Sequence, residues 1–342
     1  MINGQRVAFP ARMQVCLEEY AFDDAAPASN ELLVETLYSA VSSGTELAVL
    51  TNNQDIGHWQ GEPYPAHPGY AAVGRIMACG REVEGLAEGD VVFVPHGHAS
   101  YHRVNTTGTP VVKVPDSVAA ADAVYVRFCA VSMTTLRTTR ARPGDGVAVF
   151  GLGIVGTMAA QVFQASGYEV VGVDPAASRR ARAMQCGLRV ALSPEELAEG
   201  WQAALGGVLC KLVVDTSGAV EALRSGTALA ATGAEIVLVG VPWKSSAALS
   251  ASELLQAVFT KYLQIRGGWE WEIPTLPAPF ARGSVLQNMQ HAMRLLERGQ
   301  IQAEPLRSHL VPPSEAEAVY NGLLEDKETY HSAVFDWTGD ER

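Results

Sequence analysis

A chain of 342 residues, 48% hydrophobic and 18% charged, has the length for two domains and the composition of an ordinary globular protein, which excludes a disordered polymer. Its formal net charge of −12 is offset by no basic stripe, and this argues against nucleic acid or an anionic membrane as partner. Five scattered cysteines (Cys16, Cys79, Cys129, Cys186, Cys210) form no C-x-x-C pair, and no apolar core with a cleavage site follows Met1, so a soluble cytoplasmic protein with reduced thiols is expected.

The first third reads as β-rich. Gln5–Ala8 and Met13–Leu17 suggest a hairpin, and Glu31–Ser39, Tyr70–Ala78 and Asp90–Val94 continue with strand patterning. Between them lie loops rich in Gly, Pro, His and Trp, notably Thr51–Gly69, and the whole suggests a small, partly open barrel. Val118–Arg140 then has helical spacing, and Arg142-Pro143-Gly144-Asp145 turns the chain into a new strand.

That strand opens the most informative stretch. Val147–Phe150 is a short apolar run suited to burial on both faces, and Gly151-Leu152-Gly153-Ile154-Val155-Gly156 follows with G-x-G-x-x-G spacing. Thr157–Ala165 reads as a helix, Tyr168–Val173 as a second parallel strand, and Asp174 stands at its carboxyl end. In this order the pattern predicts dinucleotide binding. Gly151 permits the tight turn, Gly153 admits a pyrophosphate to the helix N-terminus, and Gly156 lets helix and strand pack closely. Asp174 accepts from the adenosine ribose hydroxyls and repels a 2′-phosphate, which predicts NAD rather than NADP. Arg179 and Arg180 follow; they offer a route to a 2′-phosphate or form a solvated helix face. Strands at Leu212–Asp215, Glu235–Val241 and Tyr262–Gly267 continue the alternation, so the fold class is α/β with a doubly wound parallel sheet. Ile273–Phe280 is a Pro-rich loop, Val285, Met289, Met293 and Leu296 share one face of a helix ended by Gly299, and Ala316–Leu324 and His331–Trp337 read as helix and strand. The expected layout is a catalytic domain of residues 1–117 and 273–342 around a nucleotide domain of 118–272.

Taken together, Ser43-Gly44-Thr45-Glu46, Pro68-Gly69-Tyr70, Val73-Gly74-Arg75, Glu88-Gly89-Asp90-Val91, Pro143-Gly144-Asp145, the glycine fingerprint, Val239-Gly240-Val241-Pro242 and Val334-Phe335-Asp336-Trp337 resemble the medium-chain dehydrogenase/reductase superfamily over nearly the full length. The resemblance implies a GroES-like barrel beside the Rossmann domain. Zinc members read Cys-Gly-Thr-Asp and Gly-His-Glu where this chain has Ser43-Gly44-Thr45-Glu46 and Gly69-Tyr70-Ala71, and the four-cysteine lobe after Asp90 is missing. The chain is therefore similar to a zinc-free branch, including bacteriochlorophyllide dehydrogenases, and no metal is expected.

The same resemblance places Thr45 at the proton-relaying hydroxyl and Tyr70 at a lost ligand position, with Ser43 beside them. As a base, Tyr70 needs a nearby cation to lower a phenol pKa of about 10; the alternative is a plain cleft wall. Glu46 orients a donor or pairs with a distant basic residue, and His67 suits proton transfer to solvent. Arg127 or Cys129 falls near the third ligand position. Val239, Gly240 and Val241 are placed against the nicotinamide, Asp215 at a neighbouring strand end, and His331 near a basic pyrophosphate partner. His58, Trp59, Cys129 and Trp269 are candidates for the substrate pocket, although Trp269 and Trp271 equally suit the dimer edge of similar proteins. His96, His98 and His102 read as surface residues of an edge strand. The expected function is NAD-dependent, zinc-independent oxidation of a secondary alcohol (a polyol, cyclitol, sugar or specialised metabolite) by a homodimer. The alternatives are an NAD(P)H-dependent enone or quinone reductase and a non-catalytic NAD-binding protein.

Overall fold

The computed structural model describes residues 1–52 and 64–339. In chain order the first elements are β1 (Ile2–Ala8), β2 (Cys16–Phe22), β3 (Glu31–Ala40), α1 (Ser43–Thr51), β4 (Ala72–Cys79), β5 (Val91–Val94), β6 (Tyr101–Asn105) and β7 (Val112–Lys113). Next come α2 (Ala120–Ala123), α3 (Val126–Thr138), β8 (Gly146–Phe150), α4 (Ile154–Ala165), β9 (Glu169–Val173), α5 (Ala177–Gln185), β10 (Ala191–Leu192) and α6 (Pro194–Ala204). The chain continues through β11 (Cys210–Asp215), α7 (Val220–Leu229), β12 (Glu235–Leu238), α8 (Ala251–Lys261), β13 (Gln264–Gly267), α9 (Val285–Glu297), β14 (His309–Val311), α10 (Ala316–Glu325) and β15 (Ala333–Asp336).

Six strands form one parallel sheet in the order β10-β9-β8-β11-β12-β13. The order reverses between β8 and β11, so their carboxyl ends open the crevice where this topology binds ligands. All of β8 is buried, because Val147 and Val149 pack towards Ala159, Ala160 and Phe163 while Ala148 and Phe150 pack towards Leu197 and Leu229. The predicted run of buried β-branched residues thus has helices on both of its faces.

The other large sheet joins the start of the chain to its end in the order β14-β15-β3-β4-β5-β7, with β6 also paired to β3. Its interior holds Leu32, Val34, Ala72, Ile76, Val92, Val94 and Val104, the barrel-like core expected of the first third. A third cluster fastens the two halves together: Phe128 and Met133 of α3, Met158 and Val162 of α4, and Met289 and Met293 of α9 pack with Val73 and Phe93. Among the described residues no helix is long and apolar enough to cross a membrane.

Three sequence expectations change in detail. The strand expected over Glu235–Val241 stops at Leu238, because the amides of Val239 and Gly240 both bend back to the Asp215 carbonyl at 2.8 Å. The strand expected from Tyr70 starts at Ala72, which leaves Tyr70 in a loop after Gly69 (φ +98°). The histidine trio is not on the surface. His98 and His102 are buried, and the rings of His96 and His102 stack at 4.9 Å. The β1–β2 ribbon covers this edge: Gln5 N donates to Ser100 Oγ at 2.9 Å and the Tyr20 hydroxyl to the Tyr101 carbonyl at 2.9 Å.

Candidate active site

A cleft of about 770 Å³ runs between the two halves and brings most of the sequence-predicted residues together. Gly151, Gly153, Ile154, Val155, Gly156, Asp174 and Arg179 line one end, Val239, Gly240, Val241 and Trp243 the wall, and Ser43, Thr45 and Tyr70 the opposite floor. Ser42, Phe128, Val131, Thr216 and Ser217 are among its other lining residues and were not singled out from the sequence. Thr216 and Ser217 follow a strand-end acid, a signal that was available.

The glycine turn meets its predicted demands. A Cβ on Gly156 would stand 1.7 Å from the Gly151 carbonyl oxygen, so only glycine lets α4 approach the turn. At Gly153 a Cβ would meet nothing within 4 Å, and no side chain caps the helix there. The first amides of α4 therefore open on empty space beside a positive helix end, a cradle that fits a pyrophosphate.

Asp174 is buried at the end of β9. Its Oδ2 accepts the Leu152 amide and its Oδ1 the Ala176 amide, each at 2.8 Å, which fixes the carboxylate beside the glycine turn at this end of the cleft. Arg179 Nη1 lies 3.6 Å from Asp174 Oδ2, while Arg180 donates to the Asp174 carbonyl at 2.8 Å. Both arginines fold back on the strand end rather than forming a solvated face.

Across the cleft, Ser42 and Tyr70 share a short hydroxyl–hydroxyl bond, with Thr45 Oγ1 at 3.4 Å from the same phenol oxygen. Burial pushes the Tyr70 phenol above its ordinary range, and Ser42, Thr45 and the Arg127 guanidinium pull only part of the way back. At neutral pH this tyrosine carries its proton and is a donor. The cation that a tyrosine base requires is also present, since the Arg127 guanidinium carbon lies 4.9 Å from the Tyr70 ring centroid.

Six candidates lie elsewhere. Glu46 sits one residue beyond Thr45 on α1 and points inwards: its carboxylate accepts Ser42 N at 2.7 Å, His98 Nε2 at 3.1 Å and the Tyr320 hydroxyl. It pairs with a distant basic residue, as one sequence reading held, and braces the floor from behind. His98 Nδ1 continues to Ser39 Oγ at 2.8 Å, which also takes the Trp337 indole N–H at 2.9 Å. His67 is exposed and bonded to Glu18 at 3.0 Å, outside the cleft. Cys129 is buried in the α3 core, its thiol pushed up to about 12 by burial, and Phe128 and Val131 face the cleft instead. Asp215 is turned into its own loop, accepting Ser217 N and Oγ. His331 stands off the cleft, with desolvation lowering its pKa and Arg182 and Arg179 nearby. Trp269 is half exposed and packs edge-on against Trp271 at 4.8 Å. His58 and Trp59 fall outside the described residues.

Two family models match: "Alcohol dehydrogenase GroES-like domain" over residues 28–128 and "Zinc-binding dehydrogenase" over 155–278. An alcohol dehydrogenase of Geobacillus stearothermophilus is 31% identical over 221 residues, covering 54% of this chain and 64% of the relative, so the match spans a little under two thirds of that protein. Among solved structures, an Escherichia coli CFT073 protein described as a short chain alcohol dehydrogenase, complexed with NADH, superposes with a TM-score of 0.76 at 18% identity, covering 98% of this chain and 99% of that one. A zinc-binding dehydrogenase homologue of Sinorhizobium meliloti 1021 bound to NADP gives 0.78 at 16% identity, covering 98% and 100%. The chain belongs to the medium-chain dehydrogenase/reductase superfamily. Its architecture is the Rossmann sheet and GroES-like domain of that superfamily.

The second model's description raises the question of zinc. Catalytic zinc takes three Cys, His or carboxylate ligands. Here Ser43 and Tyr70 occupy the corresponding motif positions, and Tyr70 is already bonded to Ser42 with the Arg127 guanidinium carbon 4.9 Å from its ring centroid. Among the described residues no group of three His, Cys, Asp or Glu could hold a metal ion. Neutral hydroxyls beside a fixed cation do not fit a dication.

Proposed function

We propose that the protein is an NAD-dependent, zinc-independent dehydrogenase that oxidises a secondary alcohol to a ketone, with a polyol, cyclitol, sugar or specialised metabolite as substrate. The observation that carries this reading is one cleft with the glycine turn and Asp174 at one end and the Ser42–Tyr70–Thr45 hydroxyls at the other. A bound nicotinamide supplies or accepts the hydride; the remaining work belongs to the chain's own groups. The α4 amides hold the phosphates, and Asp174 accepts from the ribose. Val239, Gly240 and Val241 wall the ring, with Phe128 and Val131 excluding water opposite. Tyr70 donates a hydrogen bond to the substrate oxygen, and its proton reaches that oxygen during carbonyl reduction. In alcohol oxidation the Tyr70 oxygen takes the substrate's hydroxyl proton as its own proton passes through Ser42 or Thr45 to water, so one proton leaves the site for each hydride transferred.

The proposal includes the division into residues 1–117 with 273–342 and 118–272, and a homodimer formed along β13. That strand ends the parallel sheet, and Leu255, Phe259, Tyr262 and Trp271 are exposed near it. A second reading, an NAD(P)H-dependent reductase of enones or quinones, draws support from Arg179, which offers a partner for a 2′-phosphate.

Turnover of secondary alcohols with NAD⁺ tests the first reading. Tyr70→Phe should lower kcat by about 10²-fold or more, the scale of a lost proton donor, while NAD affinity stays unchanged. Exhaustive chelation should leave wild-type turnover intact. Full activity in the variant removes the phenol from the chemistry, and chelator-sensitive activity restored by zinc overturns the metal-free site.

A further inference from the structure

Behind the floor of the cleft, against the ring of Tyr70, lies a fixed positive charge. Arg127, in the first turn of α3, sets its guanidinium carbon 4.9 Å from the centroid of the Tyr70 ring. Its two terminal nitrogens each donate to one carboxylate oxygen of Glu270, in the single helical turn after β13. Both side chains are buried, at 11% and 8% exposure. Thr134 Oγ1 reaches the Glu270 carbonyl at 3.5 Å, and Arg127 Nε is buried without a hydrogen-bond partner.

A buried ion pair is costly to desolvate and often gives no net stability over well-packed apolar side chains. This guanidinium is held by one carboxylate and does not line the cleft, so it is not placed to bind substrate. What remains is a permanent positive charge, fixed in orientation, against the face of a phenol. We infer that Arg127 is a positioning residue of the reaction, a clamped cation that holds the Tyr70 ring and favours the negative charge growing on its oxygen as the proton leaves. The inference rests on the reading of Tyr70 as proton donor. The opposing charge is Glu46 on α1, which is itself engaged by His98 and by Tyr320 of α10; Glu270 sits behind Arg127, and Ser42 and Thr45 are neutral. The cation thus stands near the motif position where, by resemblance, zinc members keep their third metal ligand.

The experiment follows the Tyr70 phenol directly, in full-length protein labelled with ¹³Cζ-tyrosine. The resonance absent from Tyr70→Phe identifies it. Its titration is then compared between wild type, Arg127→Lys, Glu270→Gln and the double variant Arg127→Met/Glu270→Met, in which no charge is left unpaired. The double variant should ionise about one pH unit higher, or tenfold less phenolate at a given pH. Arg127→Lys should recover most of that difference, and Glu270→Gln, which frees the cation from its counter-charge, should shift the midpoint down. The opposite sign of the last variant keeps the test open should the double variant not fold. An unmoved midpoint in the folded variants overturns the inference, as does a Tyr70 that ionises in none of them before unfolding. These failures would leave Tyr70 in the reaction. Full turnover by Tyr70→Phe would instead remove the phenol and leave the electrostatic result standing.

Discussion

Asp174 carries two loads on one carboxylate. Each oxygen accepts a backbone amide at 2.8 Å, Oδ2 also faces Arg179 Nη1 at 3.6 Å, and under the proposed function the same carboxylate receives the ribose hydroxyls. Asp174→Asn keeps the size of the side chain and removes its charge. The NAD-to-NADP preference, measured by equilibrium fluorescence titration, should move towards NADP by about tenfold or more, because Arg179 then lacks a counter-charge and meets a 2′-phosphate. An unchanged ratio would place the ribose elsewhere. This residue was legible in the sequence because a strand end fixes both its place and its direction. His67 and Cys129 were not, and Glu46 only in the reading that paired it with a distant basic residue, since spacing along a chain does not state where a side chain points. On α1 successive residues are turned by about 100°, so Thr45 faces the cleft while Glu46 faces the core. On α3 the same rotation hides Cys129 between Phe128 and Val131.

At the scale of one element, the turn between β8 and α4 separates a packing glycine from a binding glycine. Gly153→Ala adds a methyl in open space at an ordinary φ of −71°, so Tm should stay within a few degrees while cofactor affinity falls about tenfold or more. Gly156→Ala drives a methyl into the Gly151 carbonyl and should abolish soluble folded protein or lower Tm steeply. Differential scanning fluorimetry with and without NAD reads both variants, and equal behaviour would refute the division of labour. Elements with a strong pattern were the ones visible in the sequence: β3 and α9 by their period, and β8 and α4 by an apolar run and the glycine turn between them. The two-residue strands β7 and β10 carry too few side chains to show a period. The histidine segment misled because alternation predicts two faces, not whether a distant ribbon covers the outer one. Here β1 and β2 do, and no local pattern around residue 100 announces them.

Across the whole molecule, that covered histidine pair sets a pH limit. Burial pulls His102 from 6.5 down to about 3, with His96 also lowered. Between those values the unfolded chain binds a proton that the folded one refuses, so stability is intact above about pH 6.5 and is lost as pH falls towards 3. Urea unfolding should show wild type losing about 2 kcal/mol between pH 7 and pH 5 through this residue, and His102→Gln should visibly flatten that slope. Identical slopes would mean that His102 titrates normally. The pairing of β15 with β3 has a consequence of another kind. The parallel sheet is built from a continuous run between residues 146 and 267, whereas the other large sheet closes only when residues 334 to 336 meet residues 38 to 40. During synthesis the parallel sheet therefore has all its strands before residues 333 to 336 emerge to pair with β3. A nascent chain would present the glycine cradle well before Trp337 could reach Ser39, so under the proposed function the order of translation puts cofactor recognition ahead of catalytic competence.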